Sequence, residues 1–283
     1  MTAGAVFLFA APDKPGLVGR IGSFFYERDI NIVDASNHTD TSDGSATFFM
    51  RVEVDISSHA SHESLAPDFE NLCAQLDARG SVSFSDSVAR VALLVTREAA
   101  CLYDLVLRQR EGELRCEFPL IISNRIDLEE AARSLAIPFV HMPISAETKP
   151  AQEAAILARL REDKITLVVL ARYMQILSED FLQRAPPVIN IHHGFLPAFQ
   201  GAKPYHQAHA RGVKLIGATA HYATRDLDQG PIIEQDVARV THRDGPEALV
   251  RIGRDVERVV LSRAVRAHLE RRVFVQGRRT FIL

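Results

Sequence analysis

The feature that most limits the fold is an alternation of apolar and helical segments that begins near Val88 and ends at His192. The apolar segments, in chain order, are VARVALLVT, FPLIIS, FVHMPI, ITLVVLA and VINIH. The segments between them predict helices, at residues 99–109, 127–136, 150–161 and 178–184. Strands buried on both faces are apolar throughout, and intervening helices return the chain for parallel pairing. The pattern predicts an α/β domain with a mostly parallel, Rossmann-like sheet.

The chain before this region follows a different pattern. Residues 5–11 are apolar and stop at the turn signal PDKPG, after which apolar residues recur every three or four positions. That change of period predicts a strand followed by a helix. Two alternating segments, 30–38 and 46–55, are separated by a break at Asp43-Gly44, which predicts a β-hairpin.

A second helix and a last short strand complete this first part of the chain. The helical pattern is expected to end at Gly80, and its apolar positions are Leu65, Phe69, Leu72 and Leu76. The strand follows at Val82 and Phe84. The order βαββαβ is that of a ferredoxin-like unit of about 85 residues. The polar segment SVSFSDSV then predicts a boundary near Ser87, which gives domains at 1–86 and 87–283.

Composition narrows the class of protein. The formal net charge is −3 and no basic block occurs, so no nucleic-acid partner is expected. No signal-peptide pattern and no apolar run of ~18 residues is present, which predicts a cytoplasmic protein outside the membrane. The three cysteines are far apart and form no CxxC pair, which argues against disulfides and a cysteine metal site. Without GxGxxG or GxxxxGK[ST], neither a dinucleotide nor a nucleoside triphosphate is expected.

The segment VINIHHGFLPAF, residues 188–199, carries the first candidate catalytic groups. Asn190 and His192 are two residues apart on a predicted strand end, so their side chains point to the same side. Gly194 and Pro197 then open a loop. An amide can hold a developing oxyanion and an imidazole can move a proton near neutral pH. The alternative is that Asn190 caps a turn and His192 is a structural histidine.

Two predicted strands, 214–222 and 231–237, enclose a tight polar loop that runs from Arg225 to Gly230. An aspartate in that loop can orient and tune a nearby imidazole. A second reading of the histidines in this region is a metal site, since His206 and His209 are three residues apart on a predicted helix. No HExxH motif accompanies them, so no metal is predicted.

The stretch DKPGLVGRIGSFFYERDINIVD resembles the opening of an ACT regulatory domain. The resemblance implies a pocket for an amino-acid effector at a domain interface, and it assigns that pocket to Asp13, Pro15, Gly16 and Asn31. Helix N-terminal amides after Gly16 are suited to a carboxylate. Ile30 stands where the family usually has glycine. The alternative is a unit that only mediates oligomerisation.

VINIHHGFLPAFQGAKPYHQA and GATAHYATRDLDQGPII resemble the formyltetrahydrofolate deformylases, within the folate-dependent formyltransferase fold. LARYMQIL, FPLIISN and HRDGPEALVRIGRDVE extend the resemblance over the whole chain. It implies that Asn190, His192 and Asp228 are catalytic. It also implies a folate-binding set, comprising Met174, Gln175, Ile176, Leu177, His221, Arg225 and Gly230. Gly194 and Arg125 depart from the family's usual serine and histidine.

The resemblance implies hydrolysis of 10-formyltetrahydrofolate to formate and tetrahydrofolate without a cofactor, which balances one-carbon pools and supplies formate for purine synthesis. It also implies methionine or glycine as effector and a homo-oligomer formed through the ACT-like units. Three alternatives stay open. They are formyl transfer to an amine, an amino-acid sensor with an inactive enzymatic half, and a histidine-metal hydrolase. The absent glycine-rich first loop and the ACT-like unit favour the deformylase.

Overall fold

The computed structural model describes residues 4–42, 44–57, 62–199, 201 and 203–283, with the backbone alone at 62 and 63. Asp43, in the loop of the predicted hairpin, lies outside these residues. The chain divides into two compact units. The first comprises Met1–Val88, Arg271–Phe274 and Phe281–Leu283, and the second comprises Ala89–Glu270 and Val275–Thr280.

The first unit has the predicted βαββαβ order. Its elements are β1 (Gly4–Pro12), α1 (Leu17–Tyr26), β2 (Asn31–Asp40), β3 (Thr47–Asp55), α2 (His62–Leu76) and β4 (Arg79–Phe84). The four strands form an antiparallel sheet in the order β2-β3-β1-β4. The ferredoxin-like fold predicted for this unit is therefore confirmed.

Aromatic side chains fill the core of the first unit. Phe7 of β1 makes edge-to-face contacts with Phe25 of α1 and Phe69 of α2, each at 4.9 Å between ring centroids. Such pairs add stability beyond the apolar area that they bury. Ile30, just before β2, is 6% exposed and belongs to the same cluster. The left-handed residue at this turn is Asp29 (φ 54°), so a glycine at position 30 is not needed.

The prediction that Gly80 ends the second helix is wrong. Helix α2 ends at Leu76, where Asp77 takes the left-handed conformation (φ 57°) and the Ala78 N–H donates to the Cys73 carbonyl at 2.8 Å. This closure satisfies a carbonyl at the end of the helix. Gly80 lies instead within β4, because the strand passes closely under α2 at this point.

The second unit is built around a seven-stranded sheet. Its strands, in the spatial order β11-β10-β9-β8-β5-β6-β7, are Ile232–Arg239, Leu215–Tyr222, Val188–His192, Leu167–Leu170, Ala89–Val95, Cys116–Ser123 and Phe139–His141. The helices, in chain order from α3 to α8, are Ala100–Arg110, Glu129–Ser134, Lys149–Glu162, Glu179–Arg184, Pro204–Ala210 and Pro246–Leu269. The element order agrees with the predicted alternation.

The sheet is mostly parallel, as predicted. Strands β5 to β9 pair in parallel, and β10 and β11 extend the sheet in antiparallel fashion. Ala92 and Leu94 pack with residues of α5 and α6, whereas Val91 and Leu93 on the opposite face are also fully buried. Both faces of the sheet are therefore covered, and in sheets of this kind ligands bind outside the carboxyl ends of the strands.

Some details of the chain after β5 differ from the prediction. Helix α4 covers Glu129–Ser134 rather than 127–136. The long helix α8 is followed by a two-stranded sheet that the sequence did not predict, β12 (Val273–Gln276) and β13 (Arg279–Ile282). Four-residue strands give too short a pattern to recognise. Within the described ranges, no helix is both long enough and apolar enough to cross a membrane.

All three cysteines are buried and none is paired with another cysteine. Burial raises the pKa of the Cys73 thiol to about 11, and it raises those of Cys101 and Cys116 to about 12. The thiols therefore remain protonated at neutral pH.

Replacing Gly80 with alanine tests the close passage of β4 under α2. A Cβ at this position would overlap Sγ of Cys73 and lie 2.7 Å from the Phe69 ring. We expect Gly80→Ala to lower the free energy of unfolding by about 1–3 kcal/mol, as overpacking does. Chemical denaturation monitored by circular dichroism measures this change.

Two further variants control this experiment. Gly19→Ala lies in α1, where the new Cβ would meet no atom within 4 Å beyond its chain neighbours and the helix backbone, so it is expected to raise stability slightly. Cys73→Ala combined with Gly80→Ala is expected to recover part of the loss. A Gly80→Ala protein as stable as the parent would show that the close packing is wrong.

Candidate active site

A cavity of about 280 Å³ opens at the carboxyl ends of β8 and β9. Its walls are the loop that follows β8, the end of β9 and the loop that joins β10 to β11. Among the described residues, it is lined by all those predicted for catalysis and folate binding except Gly230, namely Met174, Gln175, Ile176, Leu177, Asn190, His192, His221, Arg225 and Asp228. Their assignment to substrate and catalysis stays a prediction.

Gly230 lies outside the cavity lining, at the base of the loop that carries Asp228. A Cβ at this position would overlap the carbonyl oxygen of Tyr222. The glycine therefore allows two backbone segments to approach closely, and this approach closes the loop.

The antiparallel pairing of β9 and β10 places Asn190 opposite His221. The Nδ1 atom of His221 lies 2.9 Å from the Tyr222 carbonyl, which can only accept, so Nδ1 carries the proton. The Nε2 atom then accepts a hydrogen bond from Nδ2 of Asn190 at 3.2 Å. This bond fixes the orientation of the Asn190 amide, whose residue lines the cavity.

His192 is held from both sides. Its Nδ1 lies 3.3 Å from Oδ2 of Asp228, and its Nε2 lies 3.3 Å from the Phe199 carbonyl. Oδ1 of the same carboxylate lies 3.9 Å from Nε2 of His221. Asp228 therefore bridges the two imidazoles that flank it.

The Asp228 carboxyl is ionised in this setting. Burial raises its pKa, but the hydrogen bond and charge of His192, the charge of His221 and a backbone N–H of Gly201 together lower it below the usual value. Its backbone is left-handed (φ 56°), a conformation that an aspartate adopts at some cost. Holding the Asp228 carboxylate in this position therefore costs conformational free energy.

The neighbouring histidines are neutral. Burial lowers the pKa of His193 to about 3, with contributions from the charges of Arg172 and His192. Burial also lowers the pKa of His221, against the opposing effects of the Tyr222 carbonyl and Asp228. The cavity thus combines one ionised carboxylate with two uncharged imidazoles.

Apolar side chains are left exposed around the mouth of the cavity. Met174 is 55% exposed, Ile176 is 59% exposed and Leu227 is 52% exposed, although all three line the cavity. Apolar surface at the rim of a cavity that contains convergent polar groups is typical of a ligand site. The site is therefore suited to a ligand that combines apolar surface with a polar group.

The model of the Formyl transferase family matches residues 89–265, and that of the ACT domain matches residues 5–61. A Synechocystis protein named formyltetrahydrofolate deformylase is 52% identical over 98% of both chains. The chain belongs to the formyltetrahydrofolate deformylase family. Crystallised members include that of Pseudomonas syringae pv. tomato, which is 42% identical with a TM-score of 0.95 over 100% of this chain and 95% of its own.

A solved structure of a transferase is similar to part of the chain. The structure of glycinamide ribonucleotide transformylase 1 from Symbiobacterium toebii is 33% identical, with a TM-score of 0.68. It covers 71% of this chain, and 96% of the transformylase is matched. The transformylase therefore matches a smaller part of this chain than the deformylase structure does.

The two departures from the family's usual residues lie in different settings. A Cβ on Gly194 would be 2.9 Å from Nε2 of His192 and 3.2 Å from Cβ of Pro204, so a serine here requires the imidazole to shift. Arg125 is 43% exposed in its side chain and pairs with Asp127 at 2.8 Å. It is not among the described residues that line the cavity.

The residues outside the described cavity lining that fix its loops by hydrogen bonds were not identified from the sequence. The Thr219 hydroxyl donates to the Gly194 carbonyl at 2.9 Å and accepts from the Leu196 N–H at 3.0 Å and from Nε2 of Gln235 at 2.9 Å. These bonds fix the loop after β9. Thr96 similarly accepts from the Met174 N–H at 3.0 Å and fixes the loop after β8. Thr219 lies on β10 and Thr96 directly follows β5, and a single threonine at either place carries no sequence signal that marks this role.

The metal-site alternative finds no support within the described parts of the chain. His206 and His209 both lie on α7 and are exposed. No group of three histidine, cysteine, aspartate or glutamate side chains in these ranges is arranged to hold a metal ion.

The neutral histidines predict how stability depends on pH. Folding favours their uncharged forms, so their contribution is complete above about pH 6.5, the usual pKa of an unfolded histidine. It is lost as the pH falls toward about 3, the pKa of His193 in the folded protein. We expect the free energy of unfolding, measured by urea denaturation, to decrease steadily from pH 6.5 to pH 4.

His193→Gln isolates one of these contributions. On unfolding in this pH range, the variant should take up as much as about one proton fewer than the parent. Its free energy of unfolding should therefore change less steeply with pH. His206→Gln, at an exposed position of α7, should keep the parental slope. Equal slopes in the parent and His193→Gln would contradict the neutral state of His193.

Proposed function

We propose that this protein hydrolyses 10-formyltetrahydrofolate to tetrahydrofolate and formate. The observation that carries the proposal is the convergence of Asn190, His192 and Asp228 on one cavity with an exposed apolar rim. The similarity to proteins named formyltetrahydrofolate deformylase over nearly the whole chain supports it. The domains at 1–86 and 87–283 then have a regulatory and a catalytic role.

The folate occupies the cavity between the two loops. The segment Met174–Leu177 supplies backbone groups and apolar contacts to the pterin ring, and Arg225 lies at the rim beside the acidic tail. The ligand covers the exposed side chains of Met174, Ile176 and Leu227. Burying this apolar surface stabilises the complex.

Water attacks the formyl carbon as negative charge grows on the formyl oxygen. The second N–H of Asn190 donates to that oxygen, because the first is fixed by His221. His192 supplies a second donor through Nε2, whose 3.3 Å bond to the Phe199 carbonyl is exchanged for a stronger bond to the oxyanion. The Asn190 amide is held in advance by His221, so it acts without reorganisation during the reaction, whereas His192 changes one partner.

Asp228 transfers a proton from the attacking water to the leaving nitrogen. Its ionised carboxylate orients the attacking water, accepts one proton from it and passes that proton to N10 of the folate. The carbon–oxygen bond forms, the carbon–N10 bond breaks, and tetrahydrofolate leaves with formic acid, which releases the second proton of the water to solvent and becomes formate. The residues that act are those of this chain, and the proposed reaction uses no metal or organic cofactor.

The first unit binds an amino-acid effector, with methionine and glycine as the candidates. Its proposed residues do not come together within one copy. Asn31 pairs with Asp55 at the Gly4 end of the sheet, whereas Asp13, Pro15 and Gly16 follow Pro12 at the opposite end. The strand length between these ends is roughly 25 Å. An effector site made of these residues therefore takes its halves from two copies, in a homo-oligomer.

The cellular role follows from the reaction. Release of formate from the folate pool balances one-carbon units and supplies formate for purine synthesis, in the cytoplasm. A response to methionine or glycine links this release to the amino acids that exchange one-carbon units. The reaction involves neither nucleic acid nor a membrane.

Formyl transfer to an amine is the second candidate, and the likeness to glycinamide ribonucleotide transformylase 1 favours considering it. Transfer and hydrolysis use the same three groups, so these residues do not separate them. Formate release without any amine acceptor does separate them, because a transferase needs its second substrate.

The proposed triad predicts large losses of activity on substitution. Asn190→Ala, His192→Ala and Asp228→Asn should each lower kcat for formate release by ~100- to 1,000-fold, since each removes a group that acts on the transition state. The assay uses 10-formyltetrahydrofolate, a chelator and no amine.

The loop itself offers a matched control. Asp226→Asn makes the same chemical change two residues from Asp228, at an exposed side chain outside the described cavity lining. It should keep near-parental activity. Loss of activity in chelator would instead support a metal hydrolase, and effector binding without formate release would support a sensor with an inactive enzymatic half.

The effector site predicts a loss of binding when its amide is removed. Asn31→Ala should weaken the binding of methionine or glycine, measured by isothermal titration calorimetry, by about tenfold. Asn37→Ala is the control, since Asn37 is exposed on the same strand β2. Equal binding by both variants would remove Asn31 from the site.

A further inference from the structure

A buried charged cluster lies against the catalytic cavity. Arg172, in the loop after β8, lines the cavity, and its side chain is 15% exposed. Its Nη1 atom lies 3.5 Å from Oε2 of Glu257, which is on α8 and 1% exposed. Oε1 of the same carboxylate accepts a hydrogen bond from the Tyr205 hydroxyl at 2.8 Å.

Burying this cluster is unfavourable in free energy. Burying an ion pair costs several kcal/mol per ion, and its attraction often fails to repay that cost. Nη1 of Arg172 makes no hydrogen bond to any described residue, and the backbone of Arg172 is left-handed (φ 64°). The cluster also needs Gly253, since a Cβ there would overlap the Tyr205 ring. Stability alone does not explain such an arrangement.

The position of the cluster connects it to the reaction. His193 follows the catalytic His192, and their ring centroids are 5.4 Å apart. His193 also contacts the Tyr205 ring at 6.0 Å, and the charge of Arg172 is close enough to lower the pKa of His193. Arg172 and His193 therefore form the cavity wall beside the catalytic groups, backed by Tyr205 and Glu257.

The choice of nucleophile depends on the space at this wall. In hydrolysis the oxygen of water bonds to the formyl carbon, the carbon–N10 bond breaks and a proton moves to N10. In transfer the nitrogen of an amine forms the new bond and gives up the proton instead. An amine acceptor is larger than water and is mostly an ammonium ion near neutral pH. A fixed guanidinium opposes it by volume and by charge.

We propose that Arg172, paired with a Glu257 carboxylate that Tyr205 fixes, is a specificity-determining residue that fills the acceptor side of the site and makes water the nucleophile. The inference rests on the proposed function, because it concerns the same formyl group in the same cavity. It assigns a role to the left-handed backbone at Arg172, since this conformation directs the loop while the side chain turns toward α8.

Arg172→Gly tests the proposal. Glycine adopts φ 64° without strain and removes both the volume and the charge. The protein is incubated with 10-formyltetrahydrofolate and glycinamide, and the N-formylglycinamide and formate produced are measured by mass spectrometry. We expect the product ratio of amide to formate to rise at least ~10-fold over the parent, which should stay at the enzyme-free background.

Matched variants separate this role from general effects. Lys164→Gly also replaces a basic residue with left-handed backbone (φ 51°), at an exposed position outside the described cavity lining, and should give no N-formylglycinamide. Arg172→Lys keeps a cation and should also give none. Arg172→Gly combined with Glu257→Gln avoids an unpaired buried carboxylate, so it serves if the single variant does not fold.

The outcomes distinguish the two proposals. Formate release by the parent without amine supports the hydrolase and is independent of Arg172. If folded Arg172→Gly proteins release formate but keep the parental product ratio, the role of Arg172 is rejected. It is also rejected if the parent itself transfers the formyl group to glycinamide above background. If the parent releases nothing without an amine, the proposed hydrolysis fails first.

Discussion

The hydrogen bond between Asn190 and His221 is the interaction on which the site depends. It exists because an antiparallel strand, β10, is added beside the last parallel strand, β9, so that the two residues pair across the sheet. The Tyr222 carbonyl fixes the proton of His221 on Nδ1, and this in turn fixes the orientation of the amide. A single register thus determines which N–H of the amide is held by His221.

Burial controls the charges around this pair. The cavity holds an ionised Asp228 between imidazoles, one of which stays neutral through desolvation, and a guanidinium lies at the adjoining wall. Each group would behave differently in water, where the charges would be screened. The strands and helices hold these groups at fixed distances, so the electrostatic arrangement exists before the substrate arrives.

The sequence predicted the parts of the molecule that rest on local patterns. The alternation of strands and helices and the placement of Asn190 and His192 on a strand end are properties of neighbouring residues. The contact of Arg172 with Glu257 joins residues far apart in sequence, and neither has a distinctive local pattern. Gly80 was misread as a helix terminator because its true constraint, the closeness of Cys73, is a tertiary contact. Contacts between residues far apart in the chain therefore could not be predicted from the sequence patterns.

The three buried thiols make the two units separately observable. A buried thiol of raised pKa reacts with an alkylating reagent only when its surroundings open. Cys73 reports on the first unit, and Cys101 and Cys116 report on the second. Peptide-resolved labelling rates therefore give the opening free energy of each unit in the unmodified chain, and they reveal whether an effector steadies one unit or both.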